Sequence, residues 1–472
     1  MAKIILFELN EVPFKVIDYF VRKYPNSTLA QILPISKQFE TVTDDQGHLH
    51  PWSTWPTLHR GVDNSVHKIK DFGEDLSELN KKYPPVWQIL QENSIKTGVC
   101  GSLHSYPLPT NAKEYDFYIP DPFAWGSETH PKEIQPFQEF NLAMVKGSAR
   151  NVNSGFDKKA ALKLGTNLST IGVRAKTVSA IAKQLVDEKL SSWKVVRRRS
   201  FQSIMAFDVF LKQLKKHKPQ FSTFFSNHVA ATMHRYWAAT FPEDYEEYLL
   251  SDEWKNRYSK EIDYAMHKFD GFLSDVVDFV KSNPEYKLII ASSMGQESTL
   301  AMEQKSELLA KNFDLFLNKL GFTNEDYSIL PAMHPQYNAS FKNDSKRSEL
   351  IEILKQFDIK GDKIESRIKE NGFISIDLGH RNLEENDVKF KEEIINLKDY
   401  GLVNEPIQDE ASGTAYHIPQ GILIVFDPTN RDKAERVAGV NSKRIAPSIL
   451  ANFGVKPADY MQTNLIDAIA KS

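Results

Sequence analysis

Residues 3 to 11 read KIILFELNE. Ile4 to Phe7 is a short, continuous apolar run, and it predicts a buried strand over Lys3–Leu9. The run closes on a polar trio, Glu8, Asn10 and Glu11, just ahead of Pro13. Acidic groups at the end of a buried strand stand where open α/β sheets place their chemistry, at the carboxyl edge. A strand that simply surfaces into water there is the plainer reading of the same residues.

Working outward, Phe14 to Tyr24 has helical spacing, so the chain opens β then α. Strand-like runs recur at Thr97–Gly101 (TGVCG), Phe221–Phe225 (FSTFF), Lys287–Ala291 (KLIIA) and Gly421–Phe426 (GILIVF). Helical spacing recurs at Pro85–Asn93, Lys176–Lys189, Phe201–Lys215, Tyr258–Val280 and Leu308–Leu320. It returns at Ile445–Phe453, with Pro447 in the first turn. This alternation predicts an α/β fold with a mostly parallel central sheet sandwiched by helices. Residues 105–175 read as a loop-rich insertion. Residues 321–400 change texture, with a charged helix at Lys346–Gln356 and short strands at Asn338–Phe341 and Gly372–Asp377. They read as a small α+β insertion, leaving 1–320 plus 401–472 as the core.

The chain has 472 residues, 41% hydrophobic and 26% charged, an ordinary globular composition too long for one simple core. A net charge of −3 makes no case for nucleic acid or a membrane surface as a bulk partner. One cysteine, Cys100, excludes an internal disulfide and a cysteine-based zinc site. No apolar run reaches the roughly 18 residues that span a bilayer. MAK runs directly into IILFEL without signal-peptide organisation, so a cytoplasmic location is expected.

Chemistry-bearing residues gather where strands are predicted to end. His50 to Gly61, HPWSTWPTLHRG, packs tryptophans, prolines, hydroxyls and histidines into a non-periodic stretch. Asn227, His228 and His234 follow FSTFF, Ser292, Ser293 and Gln296 follow KLIIA, and SGTAYH (Ser412–His417) precedes GILIVF. Parallel strands would bring such ends to one edge. His228, His234 and His417, with Glu8 or Glu11 supplying a carboxylate, are the metal-ligand candidates, since imidazole and carboxylate suit zinc or a similar divalent ion. A lone histidine is more often a hydrogen-bonded structural residue; three at strand ends strengthen the metal reading. Thr54 is the best nucleophile candidate, because a hydroxyl beside a divalent ion loses its proton more easily, with Thr57 and Ser53 as competitors. Trp52, Trp55, Trp125 and Trp237 could stack on a sugar or base, although core packing is the commoner use. Arg197 to Arg199 reads as a solvated helix face in preference to a phosphate contact.

The order and local text of these stretches resemble the alkaline phosphatase superfamily, in its type I phosphodiesterase/nucleotide pyrophosphatase branch. The residues that carry the resemblance are TWP at Thr54–Pro56 with Gly61 and His67 after it, His234, SSMG at Ser292–Gly295, His417 to Gly421, and APSIL followed by GVKPADYM. They span nearly the whole chain. The resemblance implies that Thr54 is the nucleophile, with Trp55, His59 and Gln296 on the substrate side, and that Arg235 or Asn227 holds a non-bridging oxygen. It places the first acidic ligand at Asn10, with Glu8 and Glu11 as neighbours, and matches His234 and His417 outright. Where the branch carries Asp and His of an S-D-H-G motif this chain has Ser293 and Met294, and the Asp of D-x-x-x-H falls on Ala230. The implied site therefore holds one divalent ion, zinc or manganese, and not the second, with His228 as a substitute ligand.

The expected function is a metal-dependent phosphoester hydrolase or phosphoryl-type transferase acting on a small nucleotide- or glycan-linked phosphoester. Two other readings stand beside it: a degenerate member that acts as a binding protein, and a metal-free transferase in which Gln296, Glu8 and His228 supply hydrogen bonds and acid–base work.

Overall fold

The computed structural model describes residues 1–69, 74–145, 158–247, 249–330, 332, 335–369, 372–433 and 435–470, side chains at 145, 158–163 and 166 aside. Its contacts divide the chain into two units. The first comprises Met1–Lys146, Ser154–Ala301 and Gly413–Ser472, and carries the predicted α/β architecture.

Five of its strands follow the alternation read from the sequence: β1 (Lys3–Leu9), β3 (Thr97–Cys100), β5 (Phe221–Ser226), β6 (Tyr286–Ala291) and the strand Gln420–Phe426. With β2 (Lys37–Val42), β4 (Phe117–Ile119) and Arg436–Asn441 they form an eight-stranded sheet ordered 436–441, β2, 420–426, β6, β1, β5, β3, β4. β1 pairs in parallel with both β5 and β6. The strand 420–426 runs antiparallel to both of its neighbours, β2 and β6. That reversal matters for the site. The carboxyl ends of β1, β5 and β6 share one edge, and the reversed strand brings its beginning, not its end, to the same edge. A short hairpin-like pair extends that edge, with β7 (Gly295–Ser298) antiparallel to Ala415–Ile418 and Gln296 opposite His417.

Side-chain alternation along β1 splits its residues between two cores. Ile4 and Leu6 pack with Trp55, Leu58, Trp87 and the helix Ile445–Asn452. On the other face, Phe7 sets its ring edge-on against Phe224 and Phe269, with centroids 5.1 and 5.4 Å apart. Phe269 belongs to the long helix Glu261–Ser282, so helices cover both faces of the sheet.

The stretch His50–Gly61, expected at a strand end, is a helix, Pro51–Arg60. Pro51 occupies the first helical position, where its missing N–H costs nothing. Gly61 ends the helix at φ 70°, and a Cβ there would meet Met461 Cγ at 3.1 Å and the Lys443 carbonyl at 3.3 Å. Pro56 sits inside and removes the hydrogen bond that Trp52 O would accept. The ring Nε2 of His104 donates to that carbonyl instead, at 2.8 Å. Part of the region read as loop, 105–175, is also helical, at Gln135–Val145 and Lys158–Ile171. Arg197 and Arg198 are held in ion pairs with Glu261 and Glu188.

The described part of the second unit, Met302–Ser412, has its own apolar core around Phe316, Leu350, Phe357 and Ile376. A four-stranded antiparallel sheet runs in the order Glu365–Ile368, Ile374–Asp377, Gln336–Phe341, Tyr327–Leu330. The helix predicted over Leu308–Leu320 divides here. Its first part is the strand Ser306–Ala310, paired with Leu402–Pro406, and the helix begins at Phe313. Among the described residues no helix is long and apolar enough to cross a membrane.

Candidate functional site

Glu11, His234 and His417 bring three potential ligand atoms within 4.8 Å of one another. Glu11 follows β1 at φ 58°, a left-handed conformation that is uncommon for a side-chain-bearing residue and concentrated at functional sites. That turn carries its side chain away from the strand's alternation and into the cluster. His234 lies on the helix His228–Thr240, two residues before a kink at Tyr236, and His417 lies on the 415–418 strand.

The hydrogen bonds decide what the cluster presents. His234 Nδ1 donates to the Ala415 carbonyl at 2.8 Å, and His417 Nδ1 donates to the Leu49 carbonyl at 2.8 Å. Both rings therefore turn Nε2 towards Glu11 Oε2, at 2.8 Å from His234 and 3.3 Å from His417. In neutral rings those Nε2 atoms carry lone pairs, and two lone pairs facing a carboxylate oxygen repel. A positive charge among them removes the conflict, either a proton on an imidazole or a cation. Burial alone would push the Glu11 carboxyl up, but the His417 and His234 imidazoles outweigh it and hold it well below its ordinary value. Burial likewise acts to lower His417, and the Glu11 carboxylate outweighs it, so the imidazole is raised.

The donor set fits a divalent ion of the zinc type. Two imidazoles and a carboxylate leave a fourth position open, and each imidazole is oriented by a carbonyl on its other nitrogen, as ligating histidines usually are. Among the described residues no second group of this kind stands at the positions the resemblance gives to another ion. Ser293 and Met294 are fully buried, and Ser293 Oγ bonds Thr54 Oγ1 at 2.8 Å. Ala230 contributes only its carbonyl, which accepts from Gln296 Nε2 at 3.3 Å.

The remaining sequence candidates fall elsewhere. Glu8 lies on the strand face covered by the helix 51–60, and its Oε1 pairs with His59 Nε2 at 2.8 Å with both side chains buried. It is a hydrogen-bond partner of His59 in the interior and stands outside the Glu11, His234, His417 cluster. Asn10 also stands outside the cluster: its Oδ1 accepts from Trp55 Nε1 and its Nδ2 donates to Glu11 Oε1 and to Asn227 Oδ1, each at 2.7 Å. His228 is buried with Nδ1 on Ser226 Oγ at 2.8 Å and Nε2 on the Ala265 carbonyl at 3.0 Å. Six helical residues turn about 240°, and no break lies between His228 and His234, so the two rings diverge. Trp55 and His59 are buried and stacked on each other at 5.4 Å. Trp237 is buried too, whereas Trp125 is 57% exposed beside a pocket of about 210 Å³ that Trp52, His104, Asp121 and Phe123 also line. Arg235 is buried and engaged in contacts. Gln296 is buried, donates to Glu11 Oε2, and lines an open pocket of about 480 Å³ with Lys15, Asp244 and Gln420.

Thr54 lies on the helix 51–60, its hydroxyl fully buried between Ser293 Oγ and the His50 carbonyl, the latter at 3.2 Å. A second network grips the same helix. Asp45 accepts from Thr57 Oγ1 at 2.6 Å, from Thr43 Oγ1 at 2.7 Å and from Asn64 N at 2.8 Å, while His67 Nε2 lies 2.9 Å from Thr57 Oγ1. The sequence reading passed over His48 and His50. His50 stands 5.6 Å, ring to ring, from His417, and His48 Nε2 meets the Tyr416 hydroxyl at 2.7 Å. The signal was the alternating HLH at 48–50, directly upstream of the helix.

No protein-family profile matches the chain, and no curated protein does. Among solved structures, murine ectonucleotide pyrophosphatase/phosphodiesterase 5 is similar over 98% of this chain and 97% of that one, at 10% identity and a TM-score of 0.41. A second structure of the murine protein, an inactive variant in complex with AMP, is similar over 98% of both chains with the same identity and TM-score.

Proposed function

We propose that this protein is a phosphoester hydrolase or phosphoryl-type transferase working with one divalent cation held by Glu11, His234 and His417. The observation that carries the reading is the convergence of two Nε2 atoms on Glu11 Oε2, with both Nδ1 atoms already committed to carbonyls. The phosphoester chemistry is supported by the motif order along the sequence. When bound, such a cation supplies Lewis-acid stabilisation of charge on a phosphoryl oxygen.

The chain's own residues would divide the rest. Thr54 Oγ1 would be the nucleophile, its hydroxyl directed by the His50 carbonyl and Ser293 Oγ. As it bonds phosphorus the ester P–O bond would break, and the Thr54 proton would pass to the departing oxygen or solvent. Asn227 Oδ1 is anchored by Asn10, so its Nδ2 donors, without a partner among the described residues, are presented to a non-bridging oxygen. This favours Asn227 over the buried Arg235 for that role. The substrate is a small nucleotide- or glycan-linked phosphoester.

A second reading keeps the cluster as a proton-charged ion pair in a metal-free pocket; the raised His417 imidazole and depressed Glu11 carboxyl favour it. One experiment separates them: elemental analysis of the purified protein after zinc or manganese supplementation, alongside turnover of an aryl phosphodiester. One bound equivalent and activity lost in Thr54→Ala are expected. A protein that takes up no metal, with Thr54→Ala silent in turnover, overturns the proposal.

A further inference from the structure

Asn10 occupies the place where the sequence comparison put a metal ligand, and its contacts give it different work. An indole N–H can only donate and an ionised carboxylate can only accept. The amide orientation is therefore forced: Oδ1 faces Trp55 Nε1, and the two hydrogens of Nδ2 face Glu11 Oε1 and Asn227 Oδ1. Asn10 is 2% exposed, and its bonds to Trp55 and Glu11 are buried.

Two consequences follow. Asn10 holds Glu11 Oε1 while Gln296 donates to Oε2, so the carboxylate is fixed with Oε2 facing His234 and His417. Trp55, the residue after Thr54, hangs from the same amide, and its buried indole also stacks on His59 and meets Phe225 edge-on at 5.8 Å. A single side chain thus joins the carboxylate of the cation site to the helix of the nucleophile.

We propose that Asn10 is a positioning residue that couples cation binding at Glu11, His234 and His417 to the packing of the helix 51–60. The proposal rests on the reading of those three residues as the cation site. Coupling of this kind is reciprocal: the affinity that the cation gains from a preset Glu11 is matched by protection that the helix gains when the cation is bound. Aspartate at position 10 could accept from Trp55 but could not donate to Glu11, so only the amide serves both arms.

The test is zinc titration by calorimetry combined with amide hydrogen exchange over residues 51–60, for wild type, Asn10→Ala and Trp55→Phe, with and without zinc. Wild type is expected to bind one equivalent and to exchange the amides of Trp55, Thr57 and Leu58 more slowly when loaded. Asn10→Ala is expected to bind roughly 10–100-fold more weakly, the usual effect of losing a group that orients a ligand, and to lose the zinc-dependent protection. Trp55→Phe is expected to bind zinc near wild-type affinity yet also lose that protection. A purely structural Asn10 would instead alter exchange equally with and without zinc. Variants that keep the wild-type zinc-dependent protection overturn the proposal while leaving the cation site standing. Wild type that takes up no zinc overturns the cation reading itself, and the coupling with it. If Asn10→Ala does not fold, Trp55→Phe decides.

Discussion

The ring of His104 completes a helix that Pro56 interrupts: its Nε2 donates at 2.8 Å to the Trp52 carbonyl, the acceptor that residue 56 would serve if it had an N–H. His104 itself stands at φ 61°, and burial pushes its imidazole down to about 3, so it remains neutral and able to donate across the physiological range. His104→Ala removes the donor to the Trp52 carbonyl, and loss of one such hydrogen bond costs about 0.5–1.5 kcal/mol. Urea denaturation should show that loss, and His104→Gln, which retains a donor, should recover part of it. Unchanged stability in His104→Ala would mean that water satisfies Trp52 O.

Cation binding should be visible as stability. With free zinc at about 100 times its dissociation constant, linkage adds about 2.7 kcal/mol to unfolding. Glu11→Gln and His417→Ala should abolish the zinc-dependent rise in Tm, and a chelator should reverse it in wild type. A Tm indifferent to zinc in wild type would contradict the Glu11, His234, His417 site.

Glu8 and His59 form a buried pair apart from that site, so their substitution should affect stability and not metal binding. His59→Ala leaves the buried Glu8 Oε1 without its His59 partner, and stranding a buried polar group costs about 1–3 kcal/mol. Zinc affinity of the folded variant should match wild type; a large drop would place Glu8 in the cation site after all.

Acid should destabilise the protein well above the carboxylate range. Burial lowers His67 and His104 to about 3 and His228 to about 4, below the roughly 6.5 of an unfolded chain. The unfolded state therefore takes up three protons that the folded state refuses, and stability that is complete above about pH 6.5 declines as pH falls towards 4. Asp121 opposes one of the three, being raised by burial to about 6. These four groups alone, two protons net, contribute a slope of roughly 3 kcal/mol per pH unit near pH 5. Equal unfolding free energies at pH 7 and pH 5 would refute this.

Asp121 supplies a test of opposite sign. Its folded-state pKa lies above its unfolded value, so its ionisation weakens the fold as pH rises from about 4 through about 6. Asp121→Asn retains an acceptor for the Phe123 N–H, which donates at 3.0 Å, and removes the buried charge. It should raise stability by up to about 3 kcal/mol at pH 7.5 and leave it unchanged at pH 4. A gain independent of pH would point to packing instead.

What the chain determined by itself was the set of elements and their class. Short uninterrupted apolar runs such as Ile4–Phe7, Leu288–Ile290 and Ile422–Val425 read as buried strands, and amphipathic stretches such as Glu261–Ser282 alternate with them. Local periodicity is a property of neighbouring residues, so it is readable without the fold. His234 and His417 stood out as histidines near such runs, nine residues past Phe225 and four before Gly421, and at positions the resemblance matches.

Only the tertiary structure chose among near neighbours. Glu8 and Glu11 are three residues apart, and which of them meets the histidines depends on strand parity and on a left-handed turn at Glu11, neither of which has a local signature. His228 and His234 diverge because the helix carrying them starts at His228 and runs unbroken past His234. HPWSTWPTLHRG hid its helix because Pro56 forbids one hydrogen bond, and the substitute donor, His104, comes from 52 residues along the chain. Choices of face and of distant hydrogen-bond partner are settled by packing, where a one-residue shift reverses the side that a side chain occupies.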